Sequence, residues 1–288
     1  MFYIRRALQS TRQWFKGKSA QAPNVSIIIC SINPDKFARV TANFRQLFQQ
    51  DSIEIIGIHD ASSLCEGYNR GVLQAHGDTI ILSHDDIQIL TPDFASRLHS
   101  HLSTFDLIGV AGTKRLVGGA WFLAGHPYDF QLVTSPQLHG KDLVIVIRGG
   151  GATVVSEIQA LDGLFLACRR QVAQSIPFDD ETFDHFHGYD TDFTFRAFLA
   201  GYRLAVCRDL FLIHYSHGRF DDNWNKYRAR FEHKFATYLE PQWSAVPSHI
   251  KSYLLNRDTL NDSAAVRQLC DISTISSLIE RVDNTDGN

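Results

Sequence analysis

Thr79-Ile-Ile-Leu-Ser-His-Asp-Asp-Ile87 is the stretch around which the chain organises itself. Thr79 to Ser83 is short, aliphatic and β-branched, which predicts a strand. Its end carries His84, Asp85 and Asp86. In an open α/β sheet, ligands bind outside the carboxyl ends of the strands. Two adjacent carboxylates there repel each other unless a cation sits nearby, and hard oxygens suit Mg2+ or Mn2+. The plain alternative for the same pair is a solvated acidic turn or a helix N-cap.

Outward from this stretch the pattern is α/β. Val25-Ser-Ile-Ile-Ile-Cys30 is a continuous run, as expected of a strand buried on both faces. Residues 36–50 place Phe37, Val40, Phe44, Leu47 and Phe48 at helical spacing. Ile53–Ile58 predicts a second strand, and residues 64–76 predict a helix that stops at Gly77. Thr91 is expected to cap a helix with Pro92 at its first position, and Leu107–Ala111 to form a fourth strand. This alternation predicts a Rossmann-like, mostly parallel sheet with helices on both faces. After Gly112, the glycines at 118, 119, 125 and 149–151 predict loops and short antiparallel strands. Ile158–Cys168 reads as a strand, Arg169–Ser175 as a short helix, and Asp190–Ala200 as a helix ending at Gly201. Leu204–Val206 and Leu210–Ile213 read as strands. Residues 221–239 read as a helix with Trp224, Tyr227, Phe231 and Phe235 on one face. A Ser/Asp/Asn-rich tail with one helix follows Pro247.

Composition narrows the function. The 288 residues carry 28 Lys and Arg against 31 Asp and Glu, a net charge of −3, which argues against a nucleic-acid partner held by a basic surface. Cys30, Cys65, Cys168, Cys207 and Cys270 are scattered with no C-x-x-C pair. Neither a disulfide framework nor a cysteine zinc site is expected, and a reducing compartment is. No apolar run approaches the roughly 20 residues that span a bilayer, and no secretory signal is visible. The expectation is a cytoplasmic protein. Residues 1–23 are a basic leader in which Arg5, Arg6, Arg12, Lys16 and Lys18 alternate with aromatic and aliphatic side chains. It reads either as an amphipathic helix on the inner face of an anionic membrane, with residues 1–20 in contact, or as a frayed leader.

Three further groups fall at predicted strand ends. Ser31-Ile-Asn33 and His59-Asp-Ala-Ser62 offer Ser31, Asn33, Asp60 and Ser62 to a base and ribose. Glu66-Gly-Tyr-Asn-Arg-Gly71 opens a helix and adds Asn69 and the cation of Arg70 near a phosphate position. Each is also ordinary turn chemistry. Downstream, Gly188-Tyr-Asp-Thr-Asp192 starts a helix. There Asp190 and Asp192 are either caps or, for Asp190, a general base. His214 follows an apolar strand and is either a third metal ligand or a satisfied core histidine.

Taken in order, these segments resemble the family 2 glycosyltransferases, which have the GT-A fold, and look closest to a bacterial branch with a His-Asp-Asp metal motif. The resemblance runs over about residues 24–240 and also includes Gly109-Val-Ala-Gly112, Ala160-Leu-Asp-Gly-Leu-Phe-Leu-Ala167 and Ala200-Gly-Tyr-Arg203. It implies a nucleotide-sugar half at about 24–112, an acceptor half with a small antiparallel sheet at about 113–240, and a helical extension at 241–288. It implies inverting sugar transfer from a nucleotide diphosphate sugar, a UDP-sugar first, with Mn2+ or Mg2+. The acceptor would be a saccharide or a lipid-linked or protein-linked hydroxyl in bacterial surface polysaccharide or glycoconjugate synthesis.

The usual motif, Asp-x-Asp, has Ser83 at its first acidic position, so by position Asp85 takes the direct metal role, with Asp86 and His214 as further ligands and His84 among the donor contacts. The usual Glu-Asp pair is Tyr189-Asp190, which makes Asp190 the base. Asp162 and Gly163 match the segment lining the junction of donor and acceptor, with Asp192 beside it. Trp121 is either a stacking surface for an acceptor sugar or a buried aromatic. Closure of the 112–126 or 149–151 segment would exclude water. Two other classes compete. One is a catalytically weak nucleotide-sugar-binding module acting through a partner, motivated by Ser83 and Tyr189. The other is a metal-dependent phosphohydrolase or nucleotidyltransferase using the same carboxylates.

Overall fold

A computed structural model describes residues 24–49, 51–241 and 249–283 of the chain. The basic leader lies outside them. The elements run β1 (Val25–Cys30), α1 (Pro34–Leu47), β2 (Ile53–Ile58), α2 (Leu64–Gln74), β3 (Thr79–Ser83), β4 (Ile87–Ile89), α3 (Phe94–Thr104), β5 (Leu107–Gly109) and β6 (Ala111–Thr113). A 3-10 turn at Trp121–Ala124 precedes β7 (Asp129–Pro136), β8 (Leu143–Arg148), β9 (Val154–Val155), β10 (Ala160–Leu161), β11 (Phe165–Arg169) and α4 (Arg170–Ser175). Then come α5 (Tyr189–Leu199), β12 (Leu204–Cys207), β13 (Leu212–His214), α6 (Asp222–Lys234), β14 (Ile250–Leu255), α7 (Ser263–Leu269) and α8 (Ile272–Asp283).

The first sheet has the order β2-β1-β3-β11-β5-β12-β9. β1 is parallel to β2 and β3, and β12 to β5, while β11 runs antiparallel between β3 and β5. β1 explains the sheet's two covered faces. Val25, Ile27 and Ile29 join Val40 and Phe44 of α1 in one apolar cluster, and Ile28 joins Tyr68 and Val72 of α2 in another. All four β1 side chains are fully buried, each stabilising the fold by about 1.5–3 kcal/mol. The expected mostly parallel α/β core is present.

The second sheet is larger than the small one expected. It runs β10-β6-β7-β13-β4, with β8 beside β7 and β14 beside β8. The tail therefore contributes a strand as well as helices, and α8 packs Ile275, Ile279 and Val282 against Leu132, Ile145 and Ile147. Two expected strands are each broken. Leu107–Ala111 divides into β5 and β6, and Ile158–Cys168 into β10 and β11. In both cases one half joins the first sheet and the other half the second. An apolar run records burial and not which strand its amides pair with, so the break is silent in the pattern. Thr91 does not cap a helix. It is buried, and its hydroxyl bonds the backbone of Asp209 and Phe211, while α3 starts after Asp93.

The 149–151 segment is pinned. The fully buried Arg208 donates to the carbonyls of Gly149 and Gly150 at 2.6 and 2.7 Å and also to that of Ala152. Charge-assisted bonds to three carbonyls of one loop hold it to the body of the protein. This makes the segment a poor candidate for a closing lid.

Candidate active site

Three strand ends and one loop meet where the two sheets part. β3 ends at the fully buried Ser83, whose hydroxyl donates to the His84 carbonyl at 2.8 Å, and the His84 N–H donates to Leu164 O at 3.1 Å. The chain then turns through Asp85 and Asp86 into β4. β4 pairs antiparallel with β13 so that His214 stands opposite Ile87. That register brings a residue from the far end of the chain to Asp86. His214 Nε2 lies 3.3 Å from Asp86 Oδ1, and His84 Nδ1 lies 4.0 Å from the same oxygen.

His84, Asp86 and His214 thus form a cluster whose ligand atoms all lie within 4.8 Å of one another. Burial alone would raise the Asp86 carboxyl. The hydrogen bond and charge of His214, with His84 and Lys36 behind them, hold it well below the usual carboxylate range instead. Burial, and then His214, lower the His84 imidazole, which favours its neutral form.

Asp85, expected in the direct metal role, is not among the three residues of this cluster. It accepts a 2.6 Å hydrogen bond from Ser31 Oγ, and Lys36 Nζ lies 3.6 Å from it and 3.4 Å from Asp86. His84, expected among the donor contacts, stands in the cluster. Ser31 lies on the expected edge, with His59 Nδ1 2.7 Å from its carbonyl. The Asn33 side chain is engaged as the N-cap of α1, accepting from the amides of Asp35 and Lys36. Asp60 is exposed and paired with Arg70 at 2.6 Å. Ser63 caps α2 by accepting from the Glu66 amide, and the Glu66 carboxylate accepts from the Ser62 amide. Asn69 exchanges two hydrogen bonds with the Phe178 backbone and so fastens α2 to that segment.

The second half of the site is the gap between β10 and β11. Asp162 sits in it and accepts from Trp121 Nε1 at 2.7 Å and from the Leu164 amide at 2.9 Å. Trp121 is 6% exposed, so its indole orients Asp162 and offers little face to a sugar. The Gly163 amide donates to Asp190 Oδ2 at 2.9 Å. Burial, and then the nearby Asp162 carboxylate, push the Asp190 carboxyl up to about 7, against the pull of its backbone donors. A Cβ at Gly163 would lie 2.1 Å from Tyr189 Oη and 2.7 Å from the Asp190 Cβ. Only glycine lets the first turn of α5 approach this closely. Tyr189 Oη lies 2.7 Å from His84 Nε2 and so joins the two halves. Asp192 faces elsewhere: it is fully buried and receives Arg196 Nε at 2.8 Å and Lys234, which also holds Asp179. It locks α5 to α6.

Residues 26–235 match the sequence pattern of a glycosyltransferase-like family. The chain belongs to that family. A comparison with curated proteins gave no match. Among solved structures, the mannosyltransferase PcManGT from Pyrobaculum calidifontis in complex with GDP-Man and Mn2+ is 10% identical, with a TM-score of 0.48 over 92% of this chain and 76% of that one. GalNAc-T7 with UDP, GalNAc and Mn2+ is 9% identical, with a TM-score of 0.40 over 68% of this chain and 44% of that one. A197 from STIV is 12% identical, with a TM-score of 0.34 over 69% of this chain and 98% of that one.

This glycosyltransferase has the mixed α/β architecture that the resemblance implied, with a mostly parallel first sheet flanked by helices. Among the described residues, no helix is long and apolar enough to cross a membrane. Its cluster of two imidazoles and one carboxylate fits a divalent first-row ion. Two atoms each about 2.1 Å from such an ion can stand at most about 4.2 Å apart; each imidazole nitrogen lies within that limit of Asp86 Oδ1, at 3.3 and 4.0 Å, and the three ligand atoms all lie within 4.8 Å of one another. Sequence reasoning missed Lys36 and the role of Tyr189. Lys36 had one signal, its position in the first turn after the β1 edge. Tyr189 had another, a polar aromatic where the family pattern has an acid.

Proposed function

We propose that this glycosyltransferase takes its sugar from a nucleoside diphosphate sugar, a UDP-sugar first, and transfers it with inversion to a hydroxyl acceptor. In a cell the reading places it at bacterial surface polysaccharide or glycoconjugate assembly, with a saccharide or a lipid-linked or protein-linked acceptor. The observation that carries the reading is the Asp190 carboxyl, partly buried, held by the Gly163 amide and raised to about 7 by burial and by Asp162. A base so tuned is half ionised near neutral pH, where it can take a proton from an attacking hydroxyl. Asp162, fixed by two N–H donors, repels the Asp190 charge and also offers an oxygen to the acceptor. His84, Asp86 and His214 would hold Mn2+ in preference to Mg2+, because imidazole is a poor partner for the harder ion. When bound, that ion neutralises charge building on the leaving diphosphate. Lys36 stands at the same carboxylates and adds a second positive charge for phosphate oxygens. Ser31, Asp60, Ser62 and Arg70 line the edge proposed for base, ribose and phosphate.

Titration calorimetry with UDP, GDP and dTDP, each with and without Mn2+, tests the donor. One nucleotide is expected to bind in a Mn2+-dependent way and to lose that dependence in Asp86→Ala. Absence of binding to all three would defeat the donor assignment. The anomeric configuration of the product, read by NMR, tests inversion, and retention would exclude Asp190 as base.

A further inference from the structure

We infer that Tyr189 is a positioning residue for the cation. Its phenol oxygen accepts the His84 Nε2 proton and thereby leaves the Nδ1 lone pair free toward Asp86 and His214. The inference rests on the metal reading above and adds a residue to it. A neutral imidazole has one protonated nitrogen and one lone pair, and the partner of the first decides where the second points. In His84 the two nitrogens have different neighbours. Nε2 meets Tyr189 Oη at 2.7 Å, and Nδ1 faces the Asp86 carboxylate 4.0 Å away. Only a proton on Nε2 leaves Nδ1 able to bind a cation. The phenol is the group in reach that can hold that proton.

The surroundings are built for this contact. Tyr189 is 4% exposed and packs against Tyr68 and Phe178. Gly163 lacks the Cβ that would occupy the space of the phenol oxygen. Ser83 and Leu164 fix the backbone of His84 from the other side. Tyr189 and Asp190 are consecutive residues of the first turn of α5. The group that orients a cation ligand and the proposed base therefore move as one rigid piece. A shift of α5 that misplaces the base also releases His84.

The test uses Mn2+ alone with the full chain, followed by electron paramagnetic resonance. His84→Ala, Asp86→Ala and His214→Ala are expected to weaken Mn2+ binding. Tyr189→Phe, which keeps the ring and its packing, is expected to weaken it about 10-fold or more. In Zn2+-loaded protein labelled with 15N-histidine, the His84 Nε2–H is expected to exchange slowly in wild type and to be lost to exchange in Tyr189→Phe. Loss of packing alone would not move that signal. If Tyr189→Phe binds Mn2+ within 2-fold of wild type while His84→Ala is weakened, the role of Tyr189 is overturned and the cluster stands. If the three ligand variants all match wild type, the cluster itself is overturned.

Discussion

Asp86 and Asp190 are both partly buried aspartates of the candidate site, and their surroundings drive them in opposite directions. Asp86 is faced by His214 and Lys36, and the hydrogen bond and charges of these groups overcome the cost of burial. Asp190 is faced by another carboxylate and by backbone amides, and burial prevails there. The first is held as an anion, suited to a cation. The second is held near the balance point between acid and base, suited to moving a proton. Environments that push two like groups apart assign them different roles, and here a single residue, Tyr189, touches both halves.

The largest expected effect is on the base side. Asp190→Asn preserves an acceptor for the Gly163 amide and removes the proton acceptor. Transfer should fall by about 10²–10⁴-fold, while Mn2+-dependent nucleotide binding stays within a few fold of wild type. In wild type, kcat/KM should rise with pH and level off above about 7, as Asp190 loses its proton. A loss of nucleotide binding equal to the loss of turnover would collapse the two halves into one. Gly163→Ala should come next. Its Cβ would meet Tyr189 and Asp190 together, and a displacement of about 1 Å at such a site costs about 10² in rate. Mn2+ affinity should fall as well, since the same displacement moves the phenol from His84. A variant with normal rate and normal Mn2+ affinity would show that the first turn of α5 tolerates the shift.

Smaller again is the contrast between the two neighbours at the cluster. Asp86→Ala should weaken Mn2+ binding by about 10–100-fold. Asp85→Ala should change it by only a few fold, because that side chain is spent on Ser31 and Lys36. The reverse ranking would restore the positional reading of the motif.

That reversal marks where residue patterns stop being informative. β1, β2 and β3 were legible from runs of β-branched residues, because burial on both faces leaves no polar gaps. His214 was legible as a polar group ending an apolar strand. The choice between Asp85 and Asp86 was not, because it depends on the pairing of β4 with β13 that brings His214 to Asp86, and residue types do not record that pairing. Asn69 and Asp192 looked available at strand and helix ends, yet Phe178 and Lys234, distant in sequence, claim them. Tyr189 was visible as a departure from the Glu-Asp pattern. Its meaning waited on His84, 105 positions earlier.

The finest test of the comparison is a stability measurement without metal or substrate. Asp190 has a carboxyl raised in the fold from an ordinary 3.8 to about 7. The folded state thus binds the proton more tightly than the unfolded chain. Its contribution to stability is fully present below about pH 4 and is lost as pH rises through about 7. Above that, the fold bears a partly buried charge beside Asp162. Asp190→Asn removes that charge, so it should match wild type near pH 4 and exceed it at pH 8, by on the order of 1–3 kcal/mol. For a chain of this size that is a Tm gain of about 2–4 °C per kcal/mol. Asp86→Asn should behave oppositely at neutral pH, since its anion is stabilised by His214 and Lys36 and the neutral amide forfeits that. Were both variants to shift Tm in the same direction at pH 8, the two aspartates would share one electrostatic environment and the division of labour between them would fail.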